Sequence, residues 1–287
     1  MILSKELLGR LQKRKLQVKK KKWGIHKGTR RAAAFGASLD FSDFRLYQPG
    51  DDVRHIDWNI YGRTQKHYIK RFLDEQELSV AIYLDATSSM RVIDTKWERA
   101  KQIAAAFSYI ALINDDRLSF IPVTGIRGQK LIRKGAMYGK HVLYEILRLT
   151  EEEKTANFTK FFEKNMMKKS QLTIIITDGL EPLEHYEYIF QKLASIHQEV
   201  RFIQLLSKEE IIPLYEGDVK LIDSETNAAV NVSIQRTMIE QYEKRLKEHN
   251  EQLESACKRY GFFYLFTTDS KDLQTILLHD CTAKGWI

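Results

Sequence analysis

Leu78-Ser79-Val80-Ala81-Ile82-Tyr83-Leu84-Asp85-Ala86-Thr87-Ser88-Ser89-Met90 is the stretch on which the fold turns. Val80 to Leu84 is a short apolar run, the pattern of a strand buried on both faces of a parallel sheet. It ends in Asp85-x-Thr87-x-Ser89, a carboxylate and two hydroxyls at alternate positions. A tight turn at the carboxyl end of the strand gathers these three oxygens on one side. An all-oxygen set suits a hard cation such as Mg2+, which keeps octahedral geometry and some water. One carboxylate leaves much of a divalent charge uncompensated, so such a site recruits an outside anion, most simply an Asp or Glu of a partner protein. The same three residue types also populate ordinary turns and helix N-caps.

From this stretch onward, strands and helices alternate. Lys96 to Ile113 reads as a helix, Leu118 to Val123 as a buried strand and Gln129 to Arg133 as a short one. Val142 to Leu149 and Phe158 to Met167 are helical. Leu172 to Asp178 is a second central strand, ending in Thr177-Asp178-Gly179. A helix over Glu184 to Ile196, a strand over Val200 to Leu206, a hairpin near 219–234, a long polar helix from Thr237 to Tyr260, a strand over Phe262 to Phe266 and a last helix near Asp272 to Leu278 complete it. This alternation predicts an α/β fold, a doubly wound and mostly parallel sheet with helices on both faces. Asp85 and Asp178 each end a central strand, where ligands of such sheets collect.

Upstream lies a dense charged segment, Phe41 to Trp58. Pro49-Gly50 marks a turn, with Arg45, Arg54 and Arg63 around it beside Asp51, Asp52 and Asp57. Opposite charges at this density predict a paired structural network, with Tyr47, Ile56 and Trp58 as apolar anchors on the main body. The alternative, a metal-dependent hydrolase using the three aspartates, is disfavoured because the arginines would neutralise them.

Arg45-x-Tyr47-x-Pro49-Gly50-Asp51-Asp52-x-Arg54-x-Ile56-Asp57-Trp58, followed by Arg63, resembles the signature of the bacterial domain-of-unknown-function 58 family. The resemblance continues through Glu75 and Glu77 into the Asp85 strand. That family couples such a segment to a von Willebrand factor A-like (Rossmann-type) domain. Likeness to those domains implies a metal-ion-dependent adhesion site. Asp85, Thr87 and Ser89 would bind Mg2+ or Mn2+ directly, with Thr87 in place of the commoner serine, and Asp178 would act through water. A further threonine corresponds to Thr155. The sequence departs there, since Glu153-Lys154-Thr155-Ala156 lacks the glycines and following Asp expected; Thr124 is the alternative, and a degenerate site without metal is another outcome. The resemblance also implies a MoxR-type AAA+ ATPase as partner in chaperone-like complex assembly.

Three regions are expected: a basic helix and loop over 1–40, the Arg/Asp-rich segment over 41–78, and the α/β domain over 79–287 with its hairpin insertion. Residues 1–31 hold twelve Lys or Arg against Glu6 alone, a charge of +11 that leaves −3 for the remainder of this +8, 287-residue chain. Ile2, Leu3, Leu7, Leu8 and Leu11 recur at helical spacing, with the lysines extending the helix toward Gly24 and a loop-like stretch over 24–42. Such an arm can meet nucleic acid, an anionic surface or an acidic protein. No apolar run approaches the ~20 residues that span a bilayer. Cys257 and Cys281 form no metal-spaced pair. These features predict a cytoplasmic protein. No His-Glu-x-x-His pair, Walker A loop or Gly-x-Ser-x-Gly elbow occurs, so the expected role is non-enzymatic.

Overall fold

The computed structural model describes residues 3–18, 27–35, 41–123, 130–150, 157–213, 217–222 and 229–287. The first element is α1 (Lys5–Leu11), capped by Ser4, whose Oγ accepts the Leu7 amide at 3.1 Å. Leu3, Leu7, Leu11 and Leu16 are buried in the main core. At roughly 1.5–3 kcal/mol for each fully buried leucine, apolar packing holds residues 3–18 on the body. The helix stops at Leu11 and does not run on toward Gly24. Beyond it the chain is drawn to the sheet, where the Arg201 guanidinium donates to the Gln17 carbonyl and the Gln17 amide donates to Trp286 O at 2.9 Å.

Three strands and a short helix precede the main domain: β1 (Lys27–Phe35), β2 (Phe41–Leu46), α2 (Trp58–Thr64) and β3 (Tyr68–Gln76). The strands form an antiparallel sheet in the order β1-β3-β2. The stretch expected as loop over 24–42 therefore contains a nine-residue strand. Lys27-Gly28-Thr29-Arg30-Arg31-Ala32-Ala33-Ala34-Phe35 shows no apolar alternation; backbone pairing with β3, interrupted by register shifts, defines the strand. Such pairing is invisible to pattern reading.

The main domain begins at β4 (Ser79–Asp85) and continues through α3 (Ser88–Arg91), α4 (Asp94–Ile113), β5 (Arg117–Val123), β6 (Leu131–Lys134), α5 (Gly139–Leu147), α6 (Phe158–Asn165), β7 (Leu172–Thr177), α7 (Leu183–Ser195), β8 (Glu199–Leu206) and α8 (Lys208–Ile211). The hairpin β9 (Gly217–Ile222) and β10 (Ala229–Ile234), the 24-residue α9 (Arg236–Arg259), β11 (Phe263–Thr268) and a final helix with a wide turn over Thr275–Cys281 follow. The central sheet has the order β6-β5-β4-β7-β8-β11, parallel except for β6 at one edge. Numbered within this sheet alone, that is 3-2-1-4-5-6, the order of a doubly wound, Rossmann-type sheet.

All residues of β7 and β8 are buried, which explains the near-continuous apolar sequence of β7, while β8 also buries Glu199, Arg201 and Gln204. Alternate side chains feed two cores. Val80, Ile82 and Leu84 join Leu172, Ile174 and Ile176 under α1, α4 and α5. Ala81, Tyr83 and Ile175 face α6, α7 and α9. Ala104, Ala105 and Ala106 let α4 approach the sheet closely, so that this helix is buried on nearly all sides. Chain order reverses between β4 and β7, and the crevice beyond their carboxyl ends is the topological switch point. Among the described residues, no helix is long and apolar enough to cross a membrane.

Candidate functional site

Asp85 ends β4 and Thr177 ends β7, so both arrive at the switch point from neighbouring strands. Asp85 Oδ1 accepts the Thr87 hydroxyl at 2.7 Å and the Thr87 amide at 3.0 Å; Thr87 Oγ1 lies 3.1 Å from Ser89 Oγ. Asp85 Oδ2 accepts the Thr177 hydroxyl at 2.6 Å. Thr87 precedes α3 but makes no side-chain cap, so its hydroxyl serves the cluster and not the helix. Two residues beyond β7, Gly179 takes φ +71 with Leu253 and Gln204 so near that a Cβ would lie 2.9 Å from Leu253 Cδ2. Only glycine lets the chain turn there and leave Asp178 facing the crevice.

Asp85, Thr87 and Asp178 are at most 4% exposed. Burial, and then the charge of Asp178, push the Asp85 carboxyl up to about 7; hydrogen bonds from Thr177 and Thr87 offset only part of this. Opposite them stands Lys96 from the first turn of α4, fully buried, with Nζ 3.4 Å from Asp178 Oδ2 and 2.5 Å from Glu210 Oε1. Glu210 is held in turn by the capping box of α8 with Ser207. Asp178 and Glu210 thus share one ammonium. Sequence reading missed Thr177, Lys96 and Glu210 as members of this cluster. Thr177 stands directly before Asp178 in the motif; Lys96 looks like an ordinary first-turn residue.

Do these residues fit a divalent cation? Bonds of 2.0–2.1 Å at right angles place adjacent ligand oxygens about 2.9 Å apart. The 2.7 and 3.1 Å separations along Asp85, Thr87 and Ser89 match that edge. The Tyr186 hydroxyl is buried and pushed far up by burial and then by Asp178, Glu181 and Asp85, with Thr177 as its hydrogen-bonding neighbour. Among the described residues no three His, Cys, Asp or Glu side chains converge as a metal set, so hydroxyls must complete any such site. The donor set fits Mg2+ or Mn2+. Thr155 and Thr124 lie outside the described residues.

The Arg/Asp segment is paired residue by residue. Asp51 meets Arg45 at 2.5 Å and the Gln48 amide at 2.9 Å, closing the Pro49-Gly50 turn. Asp52 binds Arg54 at 2.6 Å. Asp57 caps α2 through the Asn59 and Ile60 amides and pairs with Lys70 at 2.9 Å. Side-chain hydrogen bonds from these cations come first in holding all three carboxyls below their ordinary range. The aspartates therefore engage separate cations, an arrangement that does not assemble a hydrolytic centre. One expectation is corrected. Trp58 does not anchor the segment: it is 62% exposed, edge-on to Tyr61 and His67, while Ile56 is the buried anchor, bridging to Ile69. As the first residue of α2, Trp58 has its orientation set by the Asp57 cap. Arg63 is exposed in the last turn of that helix.

Similarity to known proteins is consistent with the signature at Arg45 to Arg63. Uncharacterized proteins Mb1516 of Mycobacterium bovis and Rv1480 of Mycobacterium tuberculosis are each 24% identical over 252 residues, covering 85% of this chain and 79% of theirs. Among solved structures, the conserved hypothetical protein BatB of Bacteroides thetaiotaomicron is similar at 14% identity and a TM-score of 0.39, over 72% of this chain and 98% of its own. An aerotolerance-related membrane protein of Bacteroides fragilis is similar at 13% and 0.38, over 64% and 98%. Likenesses that slight carry no argument about this chain. The family described as protein of unknown function DUF58 matches residues 43–252, most of the sequence, and the chain belongs to that family.

Proposed function

We propose that this protein is a non-enzymatic interaction module in which Asp85, Thr87 and Ser89 hold Mg2+ or Mn2+ and a partner's carboxylate completes the coordination. The observation that carries the reading is the run of oxygens from Asp85 through Thr87 to Ser89, spaced as the edge of an octahedron. Thr177 fixes the second oxygen of Asp85, and Asp178, held by Lys96 at 3.4 Å and the Leu180 amide at 3.3 Å, would orient a bound water. The ion would supply positive charge to a buried cluster that lacks it. Lys96 keeps Asp178 and Glu210 partly neutralised, which favours an indirect role for Asp178.

Family resemblance suggests a MoxR-type AAA+ ATPase as the protein that presents the carboxylate, within complex assembly. Calorimetric titration of the metal-stripped protein with Mg2+ and Mn2+, repeated for Asp85→Ala, tests the site. Binding that disappears in the variant is the expected result. The titration is then repeated with the ATPase present, when tighter metal binding and metal-dependent association should appear together. Absence of both, with a correctly folded parent, sinks the reading.

A further inference from the structure

A second concave feature lies away from Asp85, where α9 leaves part of β11 uncovered. It is a groove of about 470 Å³, within the range of ligand and peptide sites. One wall is a single stripe of α9: Glu243, Leu246, Lys247, Asn250, Glu251 and Glu254, spaced by three or four residues. The floor is Tyr264 and Phe266 of β11, and Ile211 with Ile212 closes one end. Ile212 is 48% and Phe266 37% exposed, an apolar surface inside a charged border.

Charge selects the occupant. Three glutamates line the groove against Lys247 alone. Lys247 and Lys258 partly offset Glu251 and Glu254, at 4.0 and 2.8 Å. Glu243 has no ion pair among the described residues. Glu243 and Glu254 are eleven residues apart on one helix, about 16 Å at 1.5 Å per residue. An extended peptide covers that span in about five residues. β11 is the edge of the central sheet, with no strand on its outer side among the described residues, which favours an extended partner over a helical one.

We propose that this groove binds an extended basic peptide segment, with two Lys or Arg about five positions apart and a large apolar side chain between them. The cations meet Glu243 at one end and Glu254 at the other, and the apolar side chain packs on Phe266 and Ile212. The site makes no use of Asp85 or of a metal. It adjoins the switch point through Gln204, which donates to Asn250 at 2.8 Å and to the Asp178 carbonyl at 2.8 Å and accepts the Tyr264 hydroxyl at 2.5 Å.

The test is fluorescence anisotropy of the full chain with a labelled peptide, Lys-Ser-Phe-Leu-Ser-Lys, at low and physiological salt. Controls replace both lysines by glutamate, or Phe-Leu by Ser-Ser. Saturable binding is expected for the first peptide, weakened at least tenfold in either control and weakened by salt. Glu243→Lys with Glu254→Lys should weaken it at least tenfold, as should Phe266→Ser. Asp85→Ala should leave it unchanged, which separates this site from the metal reading. Glu243→Lys alone, on the helix surface, decides the matter if Phe266→Ser unfolds. Equal binding of the acidic control, indifference to the glutamate reversals, absence of saturable binding up to millimolar peptide, or self-association as the sole effect of the groove would each overturn the proposal.

Discussion

Thr177 and Asp85 are the last residues of adjacent parallel strands, and the threonine hydroxyl donates to the carboxylate across the switch point at 2.6 Å. The bond fixes one oxygen of Asp85 so that the other faces Thr87 and Ser89. Replacement of Thr177 by valine preserves shape but strands a buried carboxylate oxygen. It should cost about 1–3 kcal/mol of stability and weaken Mg2+ binding. Denaturant unfolding with parallel titration checks both; unchanged metal affinity would deny the threonine its orienting role.

The raised Asp85 carboxyl carries a pH signature. An acid whose folded value is about 7 and whose unfolded value is about 3.9 binds more protons when folded between those limits. Its contribution to the metal-free protein is therefore greatest at the acidic end and is lost as pH rises through that window. Bound metal favours the ionised form, so the rise in melting temperature on adding Mg2+ should be larger at pH 8 than at pH 5. Asp85→Asn should erase the metal effect and leave the apo protein at least as stable as the parent at pH 8. A metal shift equal at both pH values would contradict this account.

Glu77, at the junction of β3 and β4, shows the opposite sign. Burial raises its carboxyl, but hydrogen bonds from Lys134 at 2.7 Å and Arg117 at 3.0 Å, with their charges, outweigh it and hold the group below its ordinary value. The stability it contributes is complete above the unfolded value and is lost as pH falls through the folded one. Both cations are nearly half exposed, so solvent screening keeps Glu77→Gln to roughly 1 kcal/mol at pH 7. Urea midpoints at pH 7 and pH 3 should differ between variant and parent only at the higher pH.

Arg201 is a buried cation on β8, bonded to Glu199 at 2.9 Å and to the Trp286 carbonyl at 3.0 Å, as well as to Gln17. Arg201→Leu leaves Glu199 buried without this partner and should cost about 3–5 kcal/mol. Adding Glu199→Leu should recover part of that loss. Trypsin cleavage at Lys13 and Arg14 should accelerate in both, because the Arg201 bond to the Gln17 carbonyl is gone either way. Full stability of the single variant would show that the ion pair is dispensable.

Several of these relationships were legible in the sequence and others were not, for physical reasons. β4 and β7 announce themselves because burial on both faces demands continuous apolar runs, and Asp85 and Asp178 are read from their ends. β1 is silent because backbone pairing requires no particular side chains. Lys96 and Glu210 meet across 114 positions, and no local pattern encodes such a meeting. Trp58 reads as a core residue by type, yet the Asp57 cap turns it outward.

The guanidinium of Arg201 also sets a timetable. Gln17 pairs with Trp286, and both bond to Arg201, so the site where the basic arm rests is incomplete until residues near 286 exist. At about 5–20 residues per second, a nascent chain carries an unseated arm for roughly 15 to 50 s of synthesis. Throughout that interval Leu7 and Leu11 have no finished core to enter. The nascent protein thus exposes the leucine face of a cationic helix that the folded protein covers, and any chaperone that attends this chain meets it there.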